Sequence, residues 1–316
     1  MSHRLTGQLG FSEAALSGGT KASRHLQGLS DAVDWRPFRD LLSDIYGSAR
    51  GRPAYPPLVL FKCLLVQQWY GLSDPGLEEA LEDRLSFRRF AGLSLEDPVP
   101  DHSTLSRFRK RLAERSLGEV LFDELARQFE ARGLIVKQGT LIDATLVKAD
   151  ARPPRKGETA SSDRDAKWGV KRSGPLFGYK AHVSLDQGSG LIRRAILTTA
   201  NVSDRTPAAD LIMGDEAVVY GDKGYCGWWL RDRLAEAGVG DGIMRSNYRR
   251  RPLSDEDRQR NREIAKIRGP VERAFAVMKR WYGYNRVRYR SLQRNALQLH
   301  LMCMAINLRR ARALIP

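Results

Sequence analysis

Three acidic residues sit where their neighbours do not ask for an acid. Asp143 lies inside TLIDATLV, an apolar, β-rich run that reads as a buried strand. An unpaired carboxylate there is costly. Asp222 ends the apolar run AVVYGD and precedes KGY, so it falls at a strand's C-terminal edge, where ligands gather in open α/β sheets. Glu272, in RGPVERAF, opens a basic amphipathic helix. Such acids are tolerated when they hold a metal, and Mg²⁺ favours carboxylate oxygens, with water or phosphate completing its shell. Two such ions about 4 Å apart can activate an attacking oxygen and stabilise the leaving oxygen of a phosphodiester. Each acid alone is weak evidence, since a strand Asp is as often an ion-pair or turn residue and an early-helix Glu commonly serves the dipole.

A phosphodiester chemistry needs a polyanion partner, and the charge supplies one. The chain of 316 residues carries 53 Lys and Arg against 37 Asp and Glu, a net charge of +16. From Arg245 onward there are 19 basic and 5 acidic residues, so nearly all the excess falls in this stretch. Phe275, Trp281, Tyr282, Tyr284 and Tyr289 are interleaved with those arginines. Arginines grip phosphates through paired hydrogen bonds and aromatic rings stack on exposed bases, so this region points to nucleic acid. The alternative is a solvated helix face with its aromatics turned inward.

Cys63, Cys226 and Cys303 are too few and too scattered for a disulfide scaffold or a zinc finger, which suits the cytoplasm. No apolar run approaches the roughly 20 residues that span a bilayer, and the first residues lack the apolar core of a signal peptide. Membrane, secreted and collagen-like classes are excluded on this reading.

The elements that must position the acids follow from periodicity. Residues 1–30 read as a loosely ordered lead-in. From Val33 to about Gly133 the spacing is helical, beginning with the stripe Trp35, Phe38, Leu41, Leu42 and Ile45. PPLVLFKCLLVQQWYGL and SDPGLEEALEDRL are helices, and PDHSTLSRFRKRLAE is a basic helix with Asp101 or Ser103 as its cap. This series could be a helix-turn-helix reader of DNA or an ordinary bundle with a basic face. After Gly133 the pattern turns to strands. Residues 148–175 read as a long polar loop that could order on DNA, and GYKAHVSLD and LIRRAILTT form a hairpin around QGSG. Further alternation of strands and helices ends in a long helix from Leu292. The expectation is a helical N-terminal, DNA-binding domain over 1–134 and an α/β domain with a mixed sheet over 135–316.

At this point the motifs carry a resemblance. Asp143 in TLIDATLV, Asp222 in YGDKGY and Glu272 in RGPVERAFAVMKR resemble the D, D and E of bacterial insertion-sequence transposases, most closely the insertion-sequence-five group. Arg268 and Lys279 fit that group's R-x3-E-x6-K signature, although Ala265 stands where related families often have tyrosine. GLSDPGLEEALEDRLSFRRFAGL, PDHSTLSRFRKRL, FGYKAHVSLD and TTANVSD extend the similarity over roughly residues 30–310. The resemblance implies a ribonuclease-H-like catalytic fold, two Mg²⁺ ions (Mn²⁺ substituting) on Asp143, Asp222 and Glu272, and cleavage and joining of double-stranded DNA. It further implies a homo-oligomer, at least a dimer on DNA, in the bacterial cytoplasm at the nucleoid. Arg268 and Lys279 would neutralise phosphates, with Arg273, Arg280, Lys223, Arg107, Arg109 and Lys110 as further DNA contacts.

Other residues divide between roles. His182, on a strand face with Lys180 and Ser184, reads as a hydrogen-bonded strand histidine or a DNA contact. Lys223 and Tyr225 could touch phosphate or base. Of Trp228 and Trp229, one belongs in the core and the other could stack on a base. Cys226 has no histidine partner in its motif, which argues against a thiol nucleophile. Two other classes remain: a domesticated DNA-binding protein without transposition, and a metal-dependent nuclease that cuts without joining.

Overall fold

The computed structural model describes residues 6–7, 21–46, 54–155, 160–171, 174–247 and 252–315. It divides into two compact units, Met1–Gln128 with His300–Pro316, and Phe129–Leu299.

The first unit is built from helices. They are α1 (Lys21–Asp31), α2 (Arg36–Leu41), α3 (Pro57–Tyr70), α4 (Asp74–Asp83), α5 (Leu85–Ala91), α6 (His102–Glu114) and the start of α7 (Leu117–Ala131). The α1 helix corrects the expectation of an unstructured lead-in up to residue 30; residues 8–20 lie outside the described part. Its polar sequence hides a short apolar edge, and Leu26 and Leu29 are buried. Helix α3 is apolar around its whole circumference, so it occupies the centre, burying Leu60, Phe61, Leu64, Leu65 and Val66. Gly71 stops it with φ 65°, the left-handed conformation that glycine adopts most readily. Ser73 caps α4 by accepting the Gly76 N–H, and Asp101 caps α6 by accepting that of Thr104.

The second unit contains one mixed sheet. Its strands are β1 (Thr140–Lys148), β2 (Lys167–Lys171), β3 (Gly174–Asp186), β4 (Ile192–Thr199), β5 (Val218–Gly221) and β6 (Gly240–Ile243). The order β3-β1-β5-β6 forms the body, and β2 and β4 pair in succession with the outer side of β3. Strand β3 runs antiparallel to β1, β2 and β4, whereas β5 is parallel to β1 and β6 to β5. This antiparallel meander followed by parallel strands is the ribonuclease-H-like arrangement. Because β1 is interior, both its faces are covered and its sequence is nearly continuous in apolar residues.

Four further helices follow: α8 (Trp228–Glu236), α9 (Asp255–Ile267), α10 (Gly269–Trp281) and α11 (Leu292–Leu314). On one face of the sheet Ile142 and Val219 pack with Leu230 and Leu234 of α8 and with Tyr225. On the other, α10 reaches β1 through Lys279, whose Nζ donates to Thr145 Oγ1 at 2.6 Å. The expected long loop over 148–175 contains β2, which pairs residue by residue with the start of β3. Its three alternating residues Trp168, Gly169 and Val170 are too few to register as a period between polar flanks. Thr206 and Pro207 read in the sequence as the opening of a short helix; the structure forms a single 3₁₀ turn there, at Ala209–Leu211. No helix among the described residues is long and apolar enough to cross a membrane.

Candidate active site

Asp143 and Asp222 come together by strand register. The parallel pairing of β1 with β5 sets Thr140 opposite Val219 and Leu141 opposite Tyr220. Asp143 and Asp222 each lie two residues beyond the second of these pairs, and they are close enough for the charge of Asp222 to act on Asp143. Asp222 lies just past the end of β5 and caps the 3₁₀ turn Lys223–Tyr225, its Oδ1 accepting the Gly224 N–H at 2.8 Å. A side chain at Gly224 would run into that same Oδ1, since a Cβ there would lie 2.8 Å from it. Two backbone carbonyls steady the turn. Arg205 Nε donates to Gly224 O at 3.1 Å, and Ser246 Oγ donates to Lys223 O at 3.0 Å.

The Asp143 carboxylate accepts the Ala144 N–H at 2.8 Å on Oδ1 and Arg268 Nη2 at 2.7 Å on Oδ2. Burial pushes its pKa up to about 6, against the pull of Arg268 and the Ala144 N–H, and the charges of Asp222 and Asp204 push the same way. Asp204 is the residue that sequence reasoning missed. Its Oδ1 forms an ion pair with Lys180 Nζ at 2.8 Å, and Lys180 also donates to Val202 O at 2.7 Å. TTANVSD places Asp204 in a polar loop, where an acid arouses no suspicion; only the fold brings it beside Asp143 and Asp222. The Tyr225 hydroxyl is buried with no hydrogen-bond partner among the described residues, and the three carboxylates push its pKa up after burial does.

Glu272 stands apart. It lies in the first turn of α10 and is exposed. Arg268, Glu272 and Lys279 nevertheless fall within about 40° of one another around a helix of 3.6 residues per turn. The two basic ends of this stripe bond to Asp143 and Thr145, which share a face of β1. Among the described residues no group of three or more Asp, Glu, His or Cys is assembled to hold a metal ion. The donor chemistry is nonetheless that of a hard cation: oxygen ligands, crowded like charges and one carboxylate raised in pKa for lack of compensation.

The predicted phosphate contacts divide. Arg273, Arg280, Lys223, Arg107 and Lys110 are exposed. Arg109 is not: it is turned into the helical unit, where it clamps Asp74 at 2.6 and 2.9 Å and donates to Gln67 Oε1 at 3.0 Å. It lies on the buried stripe of Leu105, Phe108 and Leu112, a spacing that a period count of α6 would have flagged. His182 is fully buried, its Nε2 hydrogen-bonded to Thr198 Oγ1 at 2.9 Å, and burial pushes its pKa down to about 4. Tyr225, which the sequence left open as a base or phosphate contact, is likewise inside the core, packed in one cluster with Ile142 and Leu230. Trp228 is 77% exposed and Trp229 packs against the core.

Comparison with known proteins settles the family. Residues 135–308, more than half of the chain, match the family pattern described as a transposase DDE domain. The chain belongs to the DDE transposase family. Residues 18–111 also match a transposase domain, DUF772. Among solved structures, the chain is similar to piggyBac transposase in a cryo-EM synaptic complex with hairpin DNA. That match has 11% identity and a TM-score of 0.46, over 93% of this chain and 75% of that one. It is also similar to the protein of a pre-cleavage Mos1 transpososome at 10% identity and a TM-score of 0.20, over 88% and 84% of the two chains. The chain is thus a DDE-type DNA transposase, an enzyme of a family that works with divalent metal ions.

Proposed function

We propose that this transposase binds double-stranded DNA at the ends of an insertion sequence, cuts there to free 3′-hydroxyls, and joins them to target DNA. The observation that carries this reading is the side-by-side placement of Asp143 and Asp222 on neighbouring parallel chains, with Arg268 held against the first. Asp143 and Asp222 are the residues that would hold Mg²⁺, with Glu272, which shares the Arg268–Lys279 stripe of α10, as the third ligand. When bound, the cations supply Lewis-acid activation of the attacking oxygen and stabilisation of the leaving one.

The chain's own residues do the rest. In the first step a water oxygen attacks the phosphorus at the element end; the bond from phosphorus to the 3′-oxygen breaks, and the strand leaves with a 3′-hydroxyl. In the second, that hydroxyl attacks a target phosphodiester and displaces the target's own 3′-oxygen. Arg268 and Lys279 neutralise the charge that grows on the non-bridging oxygens. Arg273, Arg280 and Lys223, exposed around them, hold the flanking phosphates, and Arg107 and Lys110 hold DNA on the helical unit. Pairing of two ends requires at least two copies of the chain.

Incubation of purified protein with labelled element-end DNA and Mg²⁺, beside Asp222→Asn, tests the reading. Mg²⁺-dependent 3′ cleavage and joined products are expected, with loss of both by about a thousandfold in the variant and DNA binding retained. Cleavage without joining would make the chain a nuclease, and binding without either product would make it a domesticated DNA-binding protein.

A further inference from the structure

The sheet carries a feature that the acid site does not use. Past Gly178, the last partner of β1, strand β3 continues as Gly174–Phe177 and pairs with β2. The two strands project as a ribbon with unlike faces. Leu176 packs with Leu146 and Ala200, and Gly169 lies so close to Ala200 that a Cβ there would meet its carbonyl at 2.6 Å. The other face is apolar and open. Trp168, opposite Phe177, is 52% exposed, and Val170, opposite Pro175, is 87% exposed. A groove of about 570 Å³ adjoins this face at Trp168, Pro175 and Phe177, with Lys148, Arg152 and Arg286 exposed at its margin and Asp150 as the acid among its lining residues.

Strand parity ties this face to the catalytic one. Phe177 and Pro175 alternate in phase with Val183, and Val183 is the register partner of Asp143. Six residues of β3 separate Phe177 from Val183, about 20 Å at the rise of a strand. That is the length of about six base pairs of B-form DNA.

We propose that the β2–β3 ribbon is a DNA-docking arm that seats in a groove of the duplex about six base pairs from the cut phosphate. The proposal rests on the reading that Asp143 marks that phosphate. A two-stranded ribbon has the width that the major groove admits, Trp168 and Val170 offer the apolar contact that suits thymine methyl groups, and the cationic margin meets the phosphates on either side. Charge complementarity selects DNA over a second copy of this strongly basic chain, which would bring like charges together.

The three native cysteines are buried, so Val170→Cys introduces an exposed thiol that takes a photo-crosslinker. The full-length protein so labelled is mixed with a fluorescent duplex of about 30 base pairs at low salt. Val120→Cys, on an exposed position of α7, serves as the control. The expected result is crosslinking to the duplex from position 170 well above that from 120. A Trp168→Ser/Val170→Ser variant should bind the duplex at least about fivefold more weakly with an unchanged melting midpoint. Crosslinks from position 170 only to another protein chain, or DNA crosslinks no stronger than the control, would overturn the proposal. Asp222→Asn should crosslink like the unsubstituted site, so its cleavage activity judges the acid reading separately.

Discussion

Two Arg–Asp pairs in this molecule look alike and behave differently. Arg109 with Asp74, in the helical unit, and Arg268 with Asp143, in the sheet unit, have closest N–O distances of 2.6 and 2.7 Å, and both guanidinium groups are largely buried. The first is bidentate and backed by Gln67, so the buried charges compensate one another. The second is a single hydrogen bond. Asp143 is moreover crowded by the like charges of Asp222 and Asp204. A bidentate pair whose two charges compensate one another holds a fold together. A pair left short of compensation keeps binding capacity for a ligand that can supply it.

The sharpest way to break the comparison is to remove each arginine. Arg109→Met should lower unfolding stability in urea by about 2–3 kcal/mol, because it removes the bidentate partner of the part-buried Asp74 carboxylate, while cleavage per folded molecule stays unchanged. A mild loss of stability with lost cleavage would transfer the functional role to Arg109. The opposite split is expected of Arg268→Met: a smaller shift in the urea midpoint, and a fall in cleavage of about a hundredfold in single-turnover assays. Equal effects on stability and turnover in both variants would erase the distinction.

A pH series sharpens it further. Folding raises the Asp143 pKa from 3.8 to about 6, so between these values the folded chain keeps a proton that the unfolded chain releases. Stability present below pH 4 is therefore lost as pH rises through 6, by about 3 kcal/mol in a metal-free buffer. Calorimetry of Asp143→Asn should lack this loss, and Mg²⁺ near neutral pH should raise the melting midpoint of the unsubstituted chain but not of the variant. A pH profile that Asp143→Asn leaves untouched would refute the crowding argument.

Much of this candidate site is legible in the sequence alone. An acid inside TLIDATLV or ending AVVYGD violates the local pattern, and that conflict exposed Asp143 and Asp222 without knowledge of the sheet. Asp204 conflicts with nothing in its polar loop, and its place depends on β3 and β4 carrying it to the Asp222 turn. Arg109 looks like one more surface charge of α6 by sign alone, and only its phase with Leu105, Phe108 and Leu112 places it inside. The β2 strand escaped because its apolar residues line one face only and that face is open. Glu272 was legible as a motif, but its exposure depends on how α10 lies against β1, which no local spacing encodes.

The central claim is that Asp143 and Asp222 anchor a divalent-cation site on this sheet. Fe²⁺ in place of Mg²⁺, with ascorbate and peroxide, cuts a polypeptide wherever the bound ion is close to the backbone. On the DNA-bound protein the cuts should fall at the segments around Asp143, Asp204, Asp222 and Glu272, and disappear in Asp143→Asn and Asp222→Asn. Cuts elsewhere, or an identical pattern in the two variants, would contradict the account.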